Sequence, residues 1–426
     1  MQGFRRALLA AVVAPTVASM RVDAALVDPD DPWCGSNPWA PDFDDDPYPS
    51  LHRLRTIDPV NLTPLGTWRL TRYADVNRLL HDVPAGVRMT DGVLPGVDES
   101  LSGQRLFMLQ QDPPAHTRLR RLVSRAFTPR AINALRDGIQ RIVDDCLDRV
   151  AGRGEMDVIA DLALPVPSTV ICEMLGVPVV DRDRFAVWTV QATHGLAAGT
   201  VAPEVIEQAV LAGMSLAGYF QELIEVRRGT LTDDILSALI RAEAEEGDRL
   251  SGPELISQSI GLLIAGFETT IGLIGHGVRS LIRNPGELAK LRAQPELITT
   301  AVEECLRFDG PILFTVRVLH ADVEFGGKTI PKDARVWAVL GAANRDPAVF
   351  PDPDRFDVGR QPNDHLAFGG GAHFCLGAHL ARLEGQIAIG TLVRRFDDLA
   401  LVSEKVEWGA SLFRVPGKLP ITFRAR

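Results

Sequence analysis

Between Phe368 and Glu384 the chain reads FGGGAHFCLGAHLARLE, three consecutive glycines and one cysteine directly ahead of a run with Leu376, Leu380 and Leu383 at helical spacing. Cys375 is the reactive atom of this stretch. A thiol ligates a metal as thiolate, and a cysteine just before a helix N-terminus faces free N–H groups and the positive end of the helix dipole, which stabilise that anion. Gly377 and the run Gly369 to Gly371 carry no Cβ, so the loop can approach a large planar ligand and aim backbone donors at one sulfur. A thiolate ligand to haem iron needs that arrangement. The competing reading is a buried cysteine beside a glycine turn.

Three further groupings could do chemistry. The long apolar stretch SQSIGLLIAGFETTIGLIGHGVRSLI carries Ala265, Gly266, Glu268 and Thr269 at its centre. Burying a carboxylate without partners costs several kcal/mol, so Glu268 calls for a water-lined cavity. A mid-helix threonine also has the option of bonding the carbonyl four residues back, here that of Ala265. In DPPAHTRLRRLVSRAF, His116 and Arg120 share a helix face, as a solvated basic face or as a grip on a carboxylate. Glu304 and Arg307 in AVEECLRFDGP are three apart, an ion-pair spacing that is weak on its own.

Taken together these residues resemble the cytochrome P450 family, from about Asp42 to the C-terminus, with its motifs in the expected order. FGGGAHFCLG matches the family's haem-binding loop at Phe368, Gly369, Gly371, His373, Cys375 and Gly377, which implies Cys375 as thiolate ligand to the iron of haem b. The resemblance implies that His116 and Arg120 hold one haem propionate, and that Arg317 and His373 hold the other. Ala265 and Gly266 would make space for dioxygen, Thr269 would hold water, and Glu268 would relay protons. Glu304 and Arg307 would be structural, joined by Arg355 in FPDPDRFD. The implied activity is monooxygenation of an apolar small molecule by O2, with electrons from NAD(P)H through a ferredoxin reductase and a ferredoxin. Arg120, Arg121, Arg125 and Arg382 offer a basic docking face for the ferredoxin. Two rivals are a peroxide-driven peroxygenase or decarboxylase, which would carry arginine and proline in place of Glu268 and Thr269, and a non-enzymatic haem sensor.

The implied fold is mainly α with a small β-rich side, one domain over residues 28–426 with haem between a long central helix and the Cys375 loop. The totals agree. A chain of 426 residues with 46% hydrophobic and 23% charged content has material for a large core. Its five cysteines are odd in number and lack CxxC spacing, which suggests neither a disulfide framework nor a zinc site. A net charge of −10 argues against a nucleic-acid partner. Helical periodicity dominates from Ala131 to Gly247. Ser251-Gly252-Pro253 opens the central helix and Asn284-Pro285 ends it. Strands are expected at GTWRLTR, Thr315 to Leu319, Val323 to Phe325 and Arg335 to Val339.

Residues 1–27 read as an extension: a signal-like segment, an upstream start before Met20, or a short apolar helix. The resemblance favours the last two and a cytoplasmic location; the apolar run from Ala7 to Ala14 is too short to span a bilayer, nothing downstream offers roughly 18 uninterrupted apolar residues, and no transmembrane segment is expected. Substrate walls are expected at Val87, Met89, Val93 and Leu94, at Leu262 and Ala265, at Ile312, Leu313 and Phe314, and at Leu412 and Phe413. This aliphatic lining favours a lipid, terpenoid or steroid-like substrate.

Overall fold

A computed structural model describes residues 33–38, 43–89, 107–125, 127–194, 203–232, 234–244, 249–409 and 413–426. The N-terminal extension and Val93, Leu94 and Leu412 lie outside these residues. The helices that build and frame the site are α1 (Tyr48–Ile57), α2 (Tyr73–His81), α3 (Ala115–Ser124), α4 (Arg136–Asp148), α5 (Pro165–Met174), α6 (Arg182–His194), α7 (Pro203–Arg228), α8 (Gly252–Arg283), α9 (Ile298–Asp309) and α10 (Ala378–Arg395).

Helix α8 begins where its sequence signals place it. Ser251 accepts the Glu254 amide hydrogen at 3.3 Å, and the Glu254 carboxylate accepts that of Ser251 at 2.8 Å, a reciprocal cap. Asn284 and Pro285 stop it. With 32 residues it is about 48 Å long. It packs against α5, α9 and α10, and α10 rests on α4. One apolar core runs through all of these helices, from Met108 to Phe423.

The β-rich side is a five-stranded sheet of β1 (Val60–Leu62), β2 (Trp68–Leu70), β3 (Ala85–Gly86), β4 (Thr315–Leu319) and β5 (Arg335–Ala338), in the order β1-β2-β5-β4-β3. Only the β2–β5 pair is parallel. Its apolar face packs on α2. Arg317 lies on β4 opposite Val336. The chain end returns to the helical body, because Pro420–Ala425 pairs with both Glu155–Asp157 and Phe396–Leu401.

Beneath the Cys375 loop, Glu304 and Arg307 on α9 form a two-point ion pair at 2.7 and 2.8 Å, both side chains fully buried. The third basic residue is Arg360, not the expected Arg355. Arg360 Nε donates to Glu304 at 3.1 Å, whereas Arg355 is exposed and contributes its main-chain carbonyl, which accepts from Arg307 and Arg360. The coil folds so that the later arginine turns inward and the earlier one outward. Asn363 and the Asp357 amide also donate to Glu304, so every charge here has partners. Removing one partner leaves the others buried without compensation. Glu304→Ala is therefore expected to destabilise the protein by about 3–5 kcal/mol, read as a lower urea midpoint, against well under 1 kcal/mol for an exposed pair such as Arg228→Ala.

Candidate active site

The loop ahead of α10 is held by its own backbone. The Cys375 amide donates to the Phe368 carbonyl at 3.0 Å, and the Gly377 amide hydrogen-bonds the Cys375 sulfur. Gly371 has φ +65° and a Cβ there would lie 2.0 Å from the Leu80 carbonyl oxygen, so no other residue fits. Among the described residues, and apart from the adjoining residues of the chain, nothing lies within 4 Å of a Cβ placed at Gly369 or Gly377. Burial pushes the Cys375 thiol up, opposed by the Gly377 amide and the guanidiniums of Arg120 and Arg382.

In the middle of α8, Ala265 is exposed and Ile264, Gly266 and Thr269 beside it are half-buried, between the buried Leu262 and Leu263 and the fully buried run from Thr270, so this stretch of the helix borders open space. Thr269 Oγ1 donates to the Ala265 carbonyl at 2.9 Å, the local bond expected of a mid-helix threonine. Glu268 is buried. Leu262 and Phe267 belong to the main core. Phe107 lies against the helix at Gly261, where a Cβ would meet its ring at 2.2 Å.

At the edge of the site the cationic residues converge. Arg120 Nη2 donates to the Phe374 carbonyl at 2.7 Å, beside the sulfur. His116 and His373 lie against one another with ring centroids 4.2 Å apart and planes tilted by 44°. Burial, with the neighbouring His373 and Arg120, pulls His116 down to about 4. Arg317 is buried too, and burial lowers it to about 10, with Asp112 opposing. Both ring nitrogens of His116 and Nδ1 of His373 are buried without a hydrogen-bond partner among the described residues. Buried donors without partners are costly, and a cluster of them around two arginines fits a pair of carboxylates from a bound group. This set fits haem: Cys375 would supply the thiolate ligand, Ala265 and Gly266 would leave room beside it, and His116, Arg120, Arg317 and His373 would hold its propionates.

The matches to known proteins agree. A family profile described as Cytochrome P450 covers residues 70–406. The chain belongs to the cytochrome P450 family. Cytochrome P450 107B1 of Saccharopolyspora erythraea is 44% identical over 87% of this chain and 91% of that protein. The 6-deoxyerythronolide B hydroxylase of the same organism is 38% identical over 86% and 92%. Among solved structures, P450BioI in complex with a hexadec-9Z-enoic acid ligated acyl carrier protein superposes with a TM-score of 0.83 at 38% identity, covering 90% of this chain and 99% of that one. The protein is thus a haem-thiolate oxidoreductase of the bacterial P450 monooxygenase type.

Part of the expected substrate wall lies elsewhere in this P450. Leu313 is buried in a side core with Phe43 and Leu51, and Phe314 stacks on Trp337 at 4.6 Å, so both pack against the N-terminal segment and the sheet. Ile312 packs on the β-side core and Phe413 on the main core. Val87 and Met89 are half-buried at the start of their loop. Sequence reasoning missed Glu384, wholly buried on α10. Burial pushes its carboxyl up to about 8, and its partner is the Thr270 hydroxyl next to Thr269. The signal was an acid continuing the leucine stripe of α10.

If Arg317 holds a haem propionate, Arg317→Ala removes a buried donor to that carboxylate. Haem retention, measured by transfer to apomyoglobin, is expected to fall about ten-fold or more while the ferrous carbon monoxide spectrum stays thiolate-type. Cys375→Ala is expected to lose that spectrum.

Proposed function

We propose that this P450 inserts one atom of O2 into a C–H or C=C bond of a lipid, terpenoid or steroid-like molecule, using non-covalent haem b and electrons delivered by a ferredoxin and its NAD(P)H-dependent reductase. Haem with a thiolate ligand supplies the oxygen-activating chemistry, since thiolate donation favours O–O cleavage. The observation that carries the reading is an exposed alanine, a half-buried threonine and a buried glutamate within two turns of α8, in a chain that also carries the Cys375 loop and matches the cytochrome P450 family. Thr269 spends its hydrogen on the Ala265 carbonyl, so its oxygen is left to accept from water or from a protonated group in the cavity. Glu268, one residue away, is an acid able to exchange protons with that position.

The substrate class rests on the aliphatic residues expected along the wall, of which Ala265 is exposed and Val87 half-buried, and accords with what related P450s are named for: one hydroxylates 6-deoxyerythronolide B, another is seen with a fatty acyl carrier protein. Electron delivery rests on the surface beside the sulfur. Arg121 of α3 and Arg125 at its end are exposed, as is Phe374 of the haem loop, whose carbonyl accepts from Arg120 of the same helix. Arg382 is less available, because its guanidinium is held by Glu303 at 2.7 and 2.8 Å.

Thr269→Ala is expected to keep haem and the thiolate-type spectrum but to divert most electrons to hydrogen peroxide, measured as peroxide formed per NAD(P)H consumed with ferredoxin and reductase. Full coupling in that variant would remove Thr269 from the proton path. Arg121→Glu combined with Arg125→Glu is expected to slow reduction by an acidic ferredoxin by about ten-fold or more at low salt, with the difference shrinking as salt rises. Equal rates would exclude this face.

A further inference from the structure

We propose that Asp112 is a positioning residue that ties the first wall of the substrate side to the propionate edge of the same site. The proposal rests on the haem-thiolate reading above and concerns a residue that reading does not use. Asp112 stands just ahead of α3, and its two oxygens grip two consecutive amides: Oδ1 accepts from Val87 at 2.8 Å and Oδ2 from Arg88 at 2.9 Å. On its other side the same carboxylate faces two imidazoles. His373 Nε2 lies 3.9 Å from Oδ1, and His320 Nε2 lies 3.9 Å from Oδ2. His320 in turn sits 3.0 Å from the Arg88 carbonyl, and Arg88 Nε donates to the Gln110 carbonyl at 2.8 Å, so the turn is closed on both sides of the carboxylate.

The charge pattern matches this placement. Among the described residues Asp112 is the acid whose field acts on both His116 and Arg317. A carboxylate 3.9 Å from Nε2 of His373 favours the ring orientation that points this nitrogen at it and leaves Nδ1, buried and without a partner among the described residues, as its other polar atom. The contact on Gly86 is equally specific, since a Cβ there would lie 2.4 Å from Oδ2. The Val87 to Met89 wall and the histidine two residues before Cys375 therefore share one support. On the far side of the cavity, the Met108 amide is separately bound to Gln258 of α8 at 3.2 Å.

The test uses the haem-loaded protein and two probes. Imidazole occupies the iron and little else, whereas econazole spreads across the walls. Asp112→Asn loses the charge and one of the two acceptors; Gly86→Ala keeps the charge but pushes the carboxylate off its amides. Both variants are expected to keep the thiolate-type carbon monoxide spectrum and the imidazole affinity, to weaken econazole by about ten-fold, and to shift the haem propionate bending band in resonance Raman spectra. The proposal is overturned if the econazole-to-imidazole affinity ratio and the propionate band are unchanged in both variants, or if both ligands weaken together. Failure of both variants to hold haem also overturns it, in favour of a purely structural Asp112. If only Asp112→Asn fails to hold haem, Gly86→Ala decides. A thiolate-type spectrum missing from the unsubstituted protein would instead refute the parent reading.

Discussion

A thiol surrounded by protein resists ionisation, and Cys375 is buried enough that its environment favours the neutral form. The pulls toward thiolate come from the Gly377 amide, Arg120 and Arg382, and the two arginines have other commitments: Arg120 donates to the Phe374 carbonyl, and Arg382 is gripped by Glu303. Glu303 itself is held down to about 2 by His365 and Arg382 in spite of its burial. Burial thus opposes the thiolate that ligation of haem iron would use, a bound cation would favour it, and the backbone of the loop holds the sulfur in place. This explains why so much of the chain is devoted to a loop of ten residues.

That loop cannot be held by regular secondary structure, because the chain between α-helical Ala343 and Phe368 is almost entirely coil. Coil backbone groups still need partners. The Arg307 guanidinium supplies three of them, donating to the carbonyls of Asn344, Pro353 and Arg355, while the Asn344 side chain accepts from the Leu366 amide. Glu304 neutralises the arginines that do this work. The buried ion network is thus a scaffold for irregular backbone, with its own stability secondary, and the Cys375 loop inherits its rigidity.

This division explains what could be read from the sequence. Helix α8 was legible to its terminal residues because its caps are local: Ser251, Glu254, Asn284 and Pro285 all act within one turn of the boundary. The strand Thr315–Leu319 was legible because punctuation bounds it, and the cysteine loop because glycine, histidine and cysteine types are fixed by close approach. Residues placed by distant parts of the chain were not legible. Arg355 and Arg360 lie five apart in the same coil, and only the path over α9 decides which reaches Glu304. Leu313 and Phe314 look like pocket residues until Leu51 and Trp337 claim them. Asp112 reads as an ordinary acid before a proline pair, since the amides it binds lie 24 and 25 residues earlier.

Helix α8 shows how one element serves a fixed reaction and a variable substrate. From Thr270 to Leu281 every residue is buried. That half is packed tightly: a Cβ at Gly272 would meet Pro311 at 2.5 Å, and one at Gly277 would meet Ile389 at 2.6 Å. It is also pinned through His276, whose ring nitrogens face Asp309 at 3.1 Å and the Arg414 carbonyl at 2.7 Å. Before it the burial is uneven: Leu262, Leu263, Phe267 and Glu268 are buried, whereas Ile264, Ala265 and Gly266 are open to different degrees. Close packing transmits displacement. Thr269 stands one residue before the fully buried half, and its hydroxyl donates to the Ala265 carbonyl one turn back, so that hydroxyl is set by the helix backbone and not by the side chains around it.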